Sequence, residues 1–319
     1  MSCGRRIAAE YGEVEAMRKL LRWSGVLRAQ YGERVQKVAL DTGAGCPHRH
    51  GLTGGGCIFC DARGGGSGAF LKGISLEEQV RRGVEGALKH YKARSVILYF
   101  QSYSATFRPL DEFRDEAERA VAAAEALGAL VRGIAVSTRP DLLPDAVLEY
   151  LEELARRFEV WVEIGVQTSD PAGLVWLRRG HGLDAVEEAL GRLRGTSLKV
   201  CAHLIAGIPG EAEDQLKRSA LWLAERGVDA IKFHPLYVVR GTPLEGLWRA
   251  GEFTPLPEDE YLRRLIDALL ALPDGVILQR LTAGVRPAQL VAPKWVLDKE
   301  RLERRISSEF ARTAAERFH

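Results

Sequence analysis

The sequence contains no asparagine and only two methionines, and none of its apolar runs approaches the roughly 20 residues of a membrane-spanning helix. The opening segment, MSCGRRIAAEYGEVEAM, also lacks the apolar centre of a signal peptide. These absences predict a cytoplasmic protein with no membrane contact. The scarcity of asparagine and methionine is typical of thermophilic proteins, but biased genome composition produces the same pattern.

The chain also lacks a large excess of charge of either sign, because 45 Lys and Arg residues stand against 43 Asp and Glu residues, for a net charge of +2. The overall balance therefore provides no electrostatic argument for nucleic-acid binding. A local basic patch is possible at Arg301, Arg304 and Arg305. A solvated helix face is the alternative explanation for these three residues.

Short apolar runs rich in β-branched residues alternate with amphipathic helical stretches from about residue 35 onward. This alternation predicts a parallel sheet. No GxGxxG motif follows the first run, which disfavours a dinucleotide-binding sheet. The runs cover residues 35–42, 96–101, 132–138, 160–168, 198–208 and 230–238.

Polar residues recur where these predicted strands end, at Gln101, Ser137, Thr138, Gln167 and His234. A β/α barrel carries its active site at that end of its strands. Since six units are fewer than eight, we expect an α/β fold of the partial (β/α)6 TIM-like barrel type. The predicted divisions are an N-terminal helical extension (1–34), the barrel (35–240) and a C-terminal extension (241–319) with one more strand at 276–284 and terminal helices.

Three of the five cysteines lie close together after the first predicted strand, which does not resemble a disulfide framework. Cys46, Cys57 and Cys60 have the spacing C-x10-C-x2-C, and glycine-rich stretches give their loop the freedom to wrap a bulky inorganic core. Thiolates are the ligands that iron–sulfur clusters require. Of the other two cysteines, Cys3 is expected to be incidental and Cys201 to be a buried free thiol.

Three cysteines rather than four indicate an open site. A structural zinc ion usually has four protein ligands, whereas an iron–sulfur cluster on three cysteines leaves one iron free for a substrate or cofactor. Two alternatives stay open at this point. One is zinc with His48 or His50 as the fourth ligand, and the other is a set of unrelated cysteines.

The cysteine loop, with the aromatic Phe59 before its last cysteine, resembles that of the radical S-adenosylmethionine (SAM) superfamily. More specifically, the chain resembles the YhcC family, whose core is similar to that of the elongator catalytic subunit. Blocks over residues 20–300 carry the likeness: LDTGAGCPHRHG, GGCIFC, YFQSYSATFRPL, VSTRPDLLP, VWVEIGVQT, LRRGH, VCAHLIAGIPGE, IKFHPLYVVRGTPL and LTAGVRPAQLVAPKW.

The resemblance implies a 4Fe-4S cluster that cleaves SAM reductively to a 5′-deoxyadenosyl radical, which abstracts hydrogen from an unidentified substrate. It also implies an external electron donor of the flavodoxin or ferredoxin type. The family loop commonly reads CPNRDG, whereas this chain has His48 and His50 in CPHRHG. Neither replaced position is a cysteine, so the expected cluster ligands are retained. No acetyltransferase domain follows the core, so acetyl transfer of the elongator type is not expected.

The residues expected to contact SAM lie mostly at strand ends. Phe59 is expected near the adenine, the end of the second strand near the amino group, and Arg179 at the carboxylate. The other positions are expected at ribose hydroxyls, the carboxylate or a substrate anion. The full set of cofactor-binding residues is Phe59, Gln101, Ser102, Tyr103, Ser137, Thr138, Arg139, Gln167, Arg179 and His203, with Cys46, Cys57 and Cys60 as metal ligands.

Ordinary packing is the alternative for several of these residues: loop packing for Phe59, a turn for Gln101 and a core position for His203. Glu163 shares a strand face with Gln167 but lies deeper, where a buried salt bridge is the alternative to a functional role. His234 and Tyr237 are candidates to face the substrate.

Three functions remain at this stage. The first is a radical SAM enzyme acting on a small polar substrate under a covered mouth. The second is a radical SAM enzyme that modifies RNA along an open basic track, by analogy with the elongator-like relatives. The third is a non-catalytic zinc- or cluster-binding protein.

Overall fold

The computed structural model of the protein describes residues 20–50 and 54–318. Cys3 and most of the expected N-terminal extension lie outside these residues. None of the helices formed by the described residues is long and apolar enough to cross a membrane.

The central element is a parallel sheet of seven strands, whose neighbours follow the order β1, β4, β5, β6, β7, β8 and β10. This sheet confirms the expected partial TIM-like barrel. The strand predicted in the C-terminal extension pairs in parallel with β8, so it extends the same sheet. The strands are β1 (Val35–Asp41), β4 (Ser95–Gln101), β5 (Leu130–Thr138), β6 (Glu159–Gln167), β7 (Lys199–Ala206), β8 (Ala230–Pro235) and β10 (Ile277–Arg280).

Two small antiparallel pairs lie outside this sheet. The hairpin of β2 (Arg49–His50) and β3 (Gly54–Gly55) belongs to the cysteine loop. The second pair joins β9 (Val238–Val239) to β11 (Leu290–Ala292).

Helices connect successive strands and cover the outer face of the sheet. Ser75 caps one of them by accepting a hydrogen bond from the backbone N–H of Glu78 at 3.2 Å, as its sequence predicts. The helices are α1 (Trp23–Tyr31), α2 (Leu76–Tyr91), α3 (Leu110–Ala126), α4 (Asp145–Ala155), α5 (Pro171–Trp176), α6 (Leu183–Leu193), α7 (Gln215–Glu225), α8 (Pro243–Arg249), α9 (Glu258–Ala271) and α10 (Lys299–Phe318).

Alternate residues of each strand pack on the helices or face the inside of the half-barrel. On the outer face, Leu98 and Val162 are fully buried in the main apolar core. On the inner face, α1 closes the end where the strands begin, because Val26 and Leu27 pack with the inward-facing Trp161 and its neighbours. The inside of the half-barrel is therefore approached from the opposite end, where the strands finish.

Candidate active site

The loop that carries the cysteines is anchored by backbone hydrogen bonds to two other segments. The N–H of Ile58 donates to the carbonyl of Leu177 at 3.0 Å, and the N–H of Leu244 donates to the carbonyl of Ile58 at 3.0 Å. Ile58 is buried in an apolar cluster with both leucines. A turn in which the N–H of Cys60 donates to the carbonyl of Cys57 at 3.0 Å then places the last two cysteines on one short loop.

The three cysteine thiols influence each other electrostatically. Burial raises the pKa of Cys60 to about 12, and the neighbouring Cys57 and Cys46 add to the shift. Arg49 partly offsets them and also donates to the carbonyls of Cys60 at 3.2 Å and Asp61 at 3.0 Å. Without a metal to stabilise thiolates, this loop favours the neutral thiol of Cys60.

The three cysteines do not form an assembled metal site in the part of the chain that the structure describes. Over residues 20–50 and 54–318, no three Cys, His, Asp or Glu side chains converge at metal-binding separations. The His48 ring instead packs against Gly180, where an added Cβ would lie 2.6 Å from its Nδ1 atom. This arrangement provides no support for His48 as the fourth ligand of a closed zinc site.

Backbone strain is concentrated around this loop. Ser102, Tyr103, Gln167 and Arg178 adopt positive φ angles of 83°, 49°, 77° and 55°. Residues with a Cβ rarely adopt such angles, and when they do they cluster at functional sites. The ends of β4 and β6 and the residue before Arg179 are therefore held in conformations that cost folding energy.

Buried polar atoms without partners lie in the same region. Among the described residues, Ser102 Oγ, Gln167 Oε1 and Arg179 Nε are buried with no hydrogen bond. The side chains of Gln167 and Arg179 both lie over Gly165, where an added Cβ would be 2.8 Å and 3.0 Å from their nitrogens. An unsatisfied buried polar atom costs about 1–3 kcal/mol, so this cluster is suited to a polar ligand.

Arg179 is an expected site residue whose side chain contacts a cysteine. Its Nη1 atom donates to Cys57 Sγ at 3.1 Å, and its Nη2 atom donates to the carbonyl of Gly165 at 2.5 Å. The neighbouring Arg178 is exposed. The structure therefore separates two arginines that are adjacent in the sequence.

Two residues expected at SAM have hydrogen-bond partners within the protein. Arg139 donates to the carbonyl of Arg179 at 2.6 Å and forms a two-point ion pair with Asp141. The Thr138 hydroxyl lies 2.6 Å from that of Thr106. In this arrangement Arg139 positions the segment of Arg179, and Thr138 ties the end of β5 to the loop that follows β4.

The other expected residues divide between the cysteine loop and the strand ends. The Tyr103 hydroxyl donates to the carbonyl of Ala62 at 2.7 Å, and its ring packs on Gly64. Phe59 packs at the edge of the apolar cluster around Ile58. Gln101 and Ser137 are half-buried residues at the ends of β4 and β5.

His203 belongs to a charged network inside the half-barrel. Its Nε2 atom lies 3.3 Å from Glu163 Oε2, and Lys37 and Lys232 both donate to the same carboxylate. Although burial opposes ionisation, the two lysines hold the pKa of Glu163 well below its usual value. Burial lowers the pKa of His203 to about 3 and that of Lys37 to about 7.

The two lysines of this network were not among the residues expected from the sequence. Each interrupts an apolar strand, in VQKVALD and AIKFHP, and Lys232 lies two residues before His234 on the same strand face. A lysine on the inward face of a buried strand is rarely left without a partner, which is the signal that points to them.

The C-terminal segment approaches the cysteine loop from the other side. The side-chain amide of Gln289 contacts the guanidinium of Arg63, and the N–H of Arg240 donates to the carbonyl of Gln289 at 2.9 Å. His234 and Tyr237 pack on each other with ring centroids 6.0 Å apart. Residues beyond Arg240 therefore cover part of the mouth.

The arginines of the C-terminal helix are largely paired with acids. Arg301 binds Glu258 through two nitrogens, and Arg305 binds Glu258 and two further carboxylates. Arg304 is exposed. The candidate basic patch is therefore substantially neutralised within the protein.

Comparisons with known proteins match most of this chain. The model of the Radical SAM superfamily matches residues 40–223, and that of the Radical_SAM C-terminal domain matches residues 228–312. The uncharacterized protein YtqA of Bacillus subtilis is 34% identical over 274 residues, which cover 86% of this chain and 84% of YtqA. Protein YhcC of Escherichia coli K12 is 34% identical over 280 residues, which cover 86% of each chain.

The chain therefore belongs to the radical SAM superfamily and, within it, to the YhcC family. It is an enzyme of the radical SAM class. Among solved structures, the archaeal Elp3 of Methanocaldococcus infernus superposes with a TM-score of 0.68 at 20% identity, over 86% of this chain and 63% of that one. That likeness confirms the partial-barrel fold.

Proposed function

We propose that Cys46, Cys57 and Cys60 hold a 4Fe-4S cluster, and that SAM binds beside it at the carboxyl ends of β4 and β6. The cluster and SAM together supply, on reduction, a 5′-deoxyadenosyl radical that abstracts hydrogen from a small polar substrate. The proposal includes an external electron donor of the flavodoxin or ferredoxin type. The protein itself binds and orients these groups and excludes water from them.

The observation that carries the proposal is the position of Arg179. One edge of its guanidinium contacts Cys57, while its Nε atom is buried without a partner. A guanidinium at that point suits a carboxylate that lies beside the cluster, and the fork geometry favours a two-point contact. The amino acid portion of SAM provides such a carboxylate.

The remaining unpartnered atoms fit the other end of the same amino acid group. Gln167 Oε1 and Ser102 Oγ offer oxygens that accept hydrogen bonds from an ammonium. Both residues are held at positive φ, so their positions are set before a ligand arrives. Cys46, Cys57 and Cys60 lie on one loop, and three thiolate ligands fit a cluster with one open iron.

Two observations favour a small substrate over RNA. The contact between Arg63 and Gln289 narrows the mouth on one side. Arg301 and Arg305, two of the three arginines proposed for a basic track, are already paired with Glu258 and other acids. A protein that follows a nucleic-acid backbone needs cations that are free to bind phosphates.

Anaerobic reconstitution with iron and sulfide, followed by incubation with SAM and dithionite, tests the proposal. Formation of 5′-deoxyadenosine and methionine is the expected result. A protein that takes up one zinc ion, holds no sulfide and depends on His48 or His50 for that zinc would contradict it.

A further inference from the structure

We propose that Lys37, which shares the Glu163 carboxylate with Lys232, binds the anionic group of a small substrate inside the half-barrel. The chemical class of the substrate is a metabolite with a carboxylate or a phosphate group. This inference rests on the proposed function, because it places the substrate on the inner side of the candidate SAM site.

The inside of the half-barrel has open space next to these residues. On β1, Val38 and Leu40 are buried against the helices, so the alternate residues Lys37 and Ala39 face inward. Ala39 is exposed although both of its neighbours are buried. A small side chain that remains exposed on the inner face of a strand marks room for a ligand.

The network contains more positive than negative charge. Below the Lys37 pKa of about 7, one carboxylate, Glu163, is shared by two charged lysines, which leaves one positive charge without a partner. A buried charge of this kind is costly unless a counter-ion accompanies it. A bound anion supplies that counter-ion.

Among the described residues that act on this network, no group other than Glu163 supplies a negative charge at neutral pH. Burial lowers the pKa of His203 to about 3 and that of His234 to about 4, so both imidazoles are neutral. Burial raises the pKa of Cys201 to about 12 and that of Tyr99 well above its usual value, so both are also neutral. Arg280, whose charge acts on Tyr99 and His234, adds a further positive charge.

Lys37 is the member of the network that a ligand can reach. Its side chain is 17% exposed, against 4% for Lys232 and 0% for Glu163. Its ammonium lies over the rings of Tyr99 at 3.8 Å and Trp23 at 4.8 Å, which holds it in place. His203, which contacts the same carboxylate, has 18% of its side chain exposed and offers a neutral imidazole to the ligand.

The position of Lys37 also selects for the size of the ligand. Its network lies inside the half-barrel, and α1 closes the lower end through the packing of Trp23 on Trp161 at 5.7 Å between ring centroids. A small anion reaches this depth, whereas a phosphate in the backbone of a polynucleotide is held at the surface by its neighbours. The structure therefore favours a free metabolite over RNA.

Titration of phosphate and acetate into the reconstituted, unreduced holoprotein tests the inference. Chloride keeps the ionic strength constant, and saturable binding is followed by calorimetry and by the rise in melting temperature. We expect both anions to bind below the Lys37 pKa of about 7. Acetate, whose charge is constant in this range, should bind more weakly as the pH rises through that value.

Matched variants separate a binding role from a purely structural one. Lys37→Met should weaken phosphate binding on the order of tenfold or more, and Lys37→Arg should restore most of it. Glu163→Gln removes the carboxylate that competes with the anion. It should therefore strengthen phosphate binding, whereas Lys37→Met should weaken it. Lys217→Met, at a lysine paired with Asp267 away from the network, should leave binding unchanged.

The outcomes are distinct. Phosphate binding that is absent in the parent, or equal in the parent and Lys37→Met, would overturn the inference even if Glu163→Gln fails to fold. Displacement of phosphate by a short RNA, with dependence on Lys37, would replace the metabolite with RNA. Failure of the parent to form 5′-deoxyadenosine would instead overturn the proposed function, whatever the anion titration gives.

Discussion

The guanidinium of Arg179 donates to the sulfur of Cys57 at 3.1 Å, although 122 positions separate the two residues in the chain. The contact joins the segment after β6 to the cysteine loop after β1. It is supported from behind by Arg139, which donates to the carbonyl of Arg179 at 2.6 Å. The cysteine loop and the segment after β6 are therefore held side by side.

Replacement of Arg179 by alanine should weaken SAM binding while the cluster remains. The expected loss is on the order of 2–4 kcal/mol, as for a desolvated charge pair that loses one partner. Calorimetric titration of SAM into reconstituted protein measures it, and visible absorbance monitors the cluster. Arg178→Ala is the matched control, because Arg178 is exposed and should have little effect. Equal SAM affinity in Arg179→Ala and the parent would remove Arg179 from the SAM site.

The cysteines should divide into two groups. Cys46→Ala, Cys57→Ala and Cys60→Ala should each abolish the visible absorbance of the reconstituted protein, whose iron content should be about four per chain. Cys201→Ala should retain both, because Cys201 is a fully buried thiol inside the half-barrel. Iron analysis together with absorbance checks the prediction. Retention of a full cluster in any of the first three variants would contradict the ligand assignment.

Gln167→Gly should weaken SAM binding without lowering the stability of the fold. The backbone of Gln167 has a φ of 77°, which glycine adopts without strain. Thermal stability should therefore stay the same or rise, by about 1 kcal/mol at most, while SAM binding weakens because the amide oxygen is lost. Lys92→Gly, at an exposed helix end with a φ of 54°, is the control that changes the strain alone. Unchanged SAM affinity in Gln167→Gly would exclude the amide from the site.

Much of the barrel is predictable from its apolar runs. The six expected strands begin and end close to the observed ones, because a buried parallel strand is apolar on both faces and its helices are capped by local signals such as Ser75. The strain at Ser102 and Gln167 is not predictable in this way. Neither position is a glycine, so no local signal marks a positive φ there.

The charged network depends on tertiary pairing. Lys37, Glu163 and Lys232 lie on β1, β6 and β8, and they meet only because the sheet curves. The ion pair of Arg139 likewise could not be predicted from the sequence, which suggested only that Arg139 contacts a ligand. An arginine at a strand end suits an anion in either case, and only the fold shows that Asp141 already occupies its guanidinium.

Lys37 should make stability depend on pH above neutrality. Burial lowers its pKa in the folded protein from 10.5 to about 7, so between these values the unfolded chain binds more protons. The free energy of unfolding should therefore rise as the pH increases from about 7 towards 10.5. Lys37→Met should lack this contribution. Denaturant unfolding of both proteins across the interval measures the difference, and parallel curves would show that Lys37 titrates normally.

RNA binding should be weak and nearly independent of the C-terminal arginines. Arg301 and Arg305 both form ion pairs with Glu258. Replacing the two arginines by glutamate should therefore lower the stability of the protein and leave its affinity for RNA nearly unchanged. Filter binding of tRNA at rising salt, with parent and variant compared, measures the effect. Lys217→Glu serves as the control for a change of charge at an unrelated ion pair.

Sub-micromolar binding with a steep salt slope, lost when Arg301, Arg304 and Arg305 are replaced by glutamate, would indicate phosphate contacts along the C-terminal helix. That result would favour RNA over a small metabolite, because the paired arginines would then have exchanged their carboxylates for the nucleic-acid backbone.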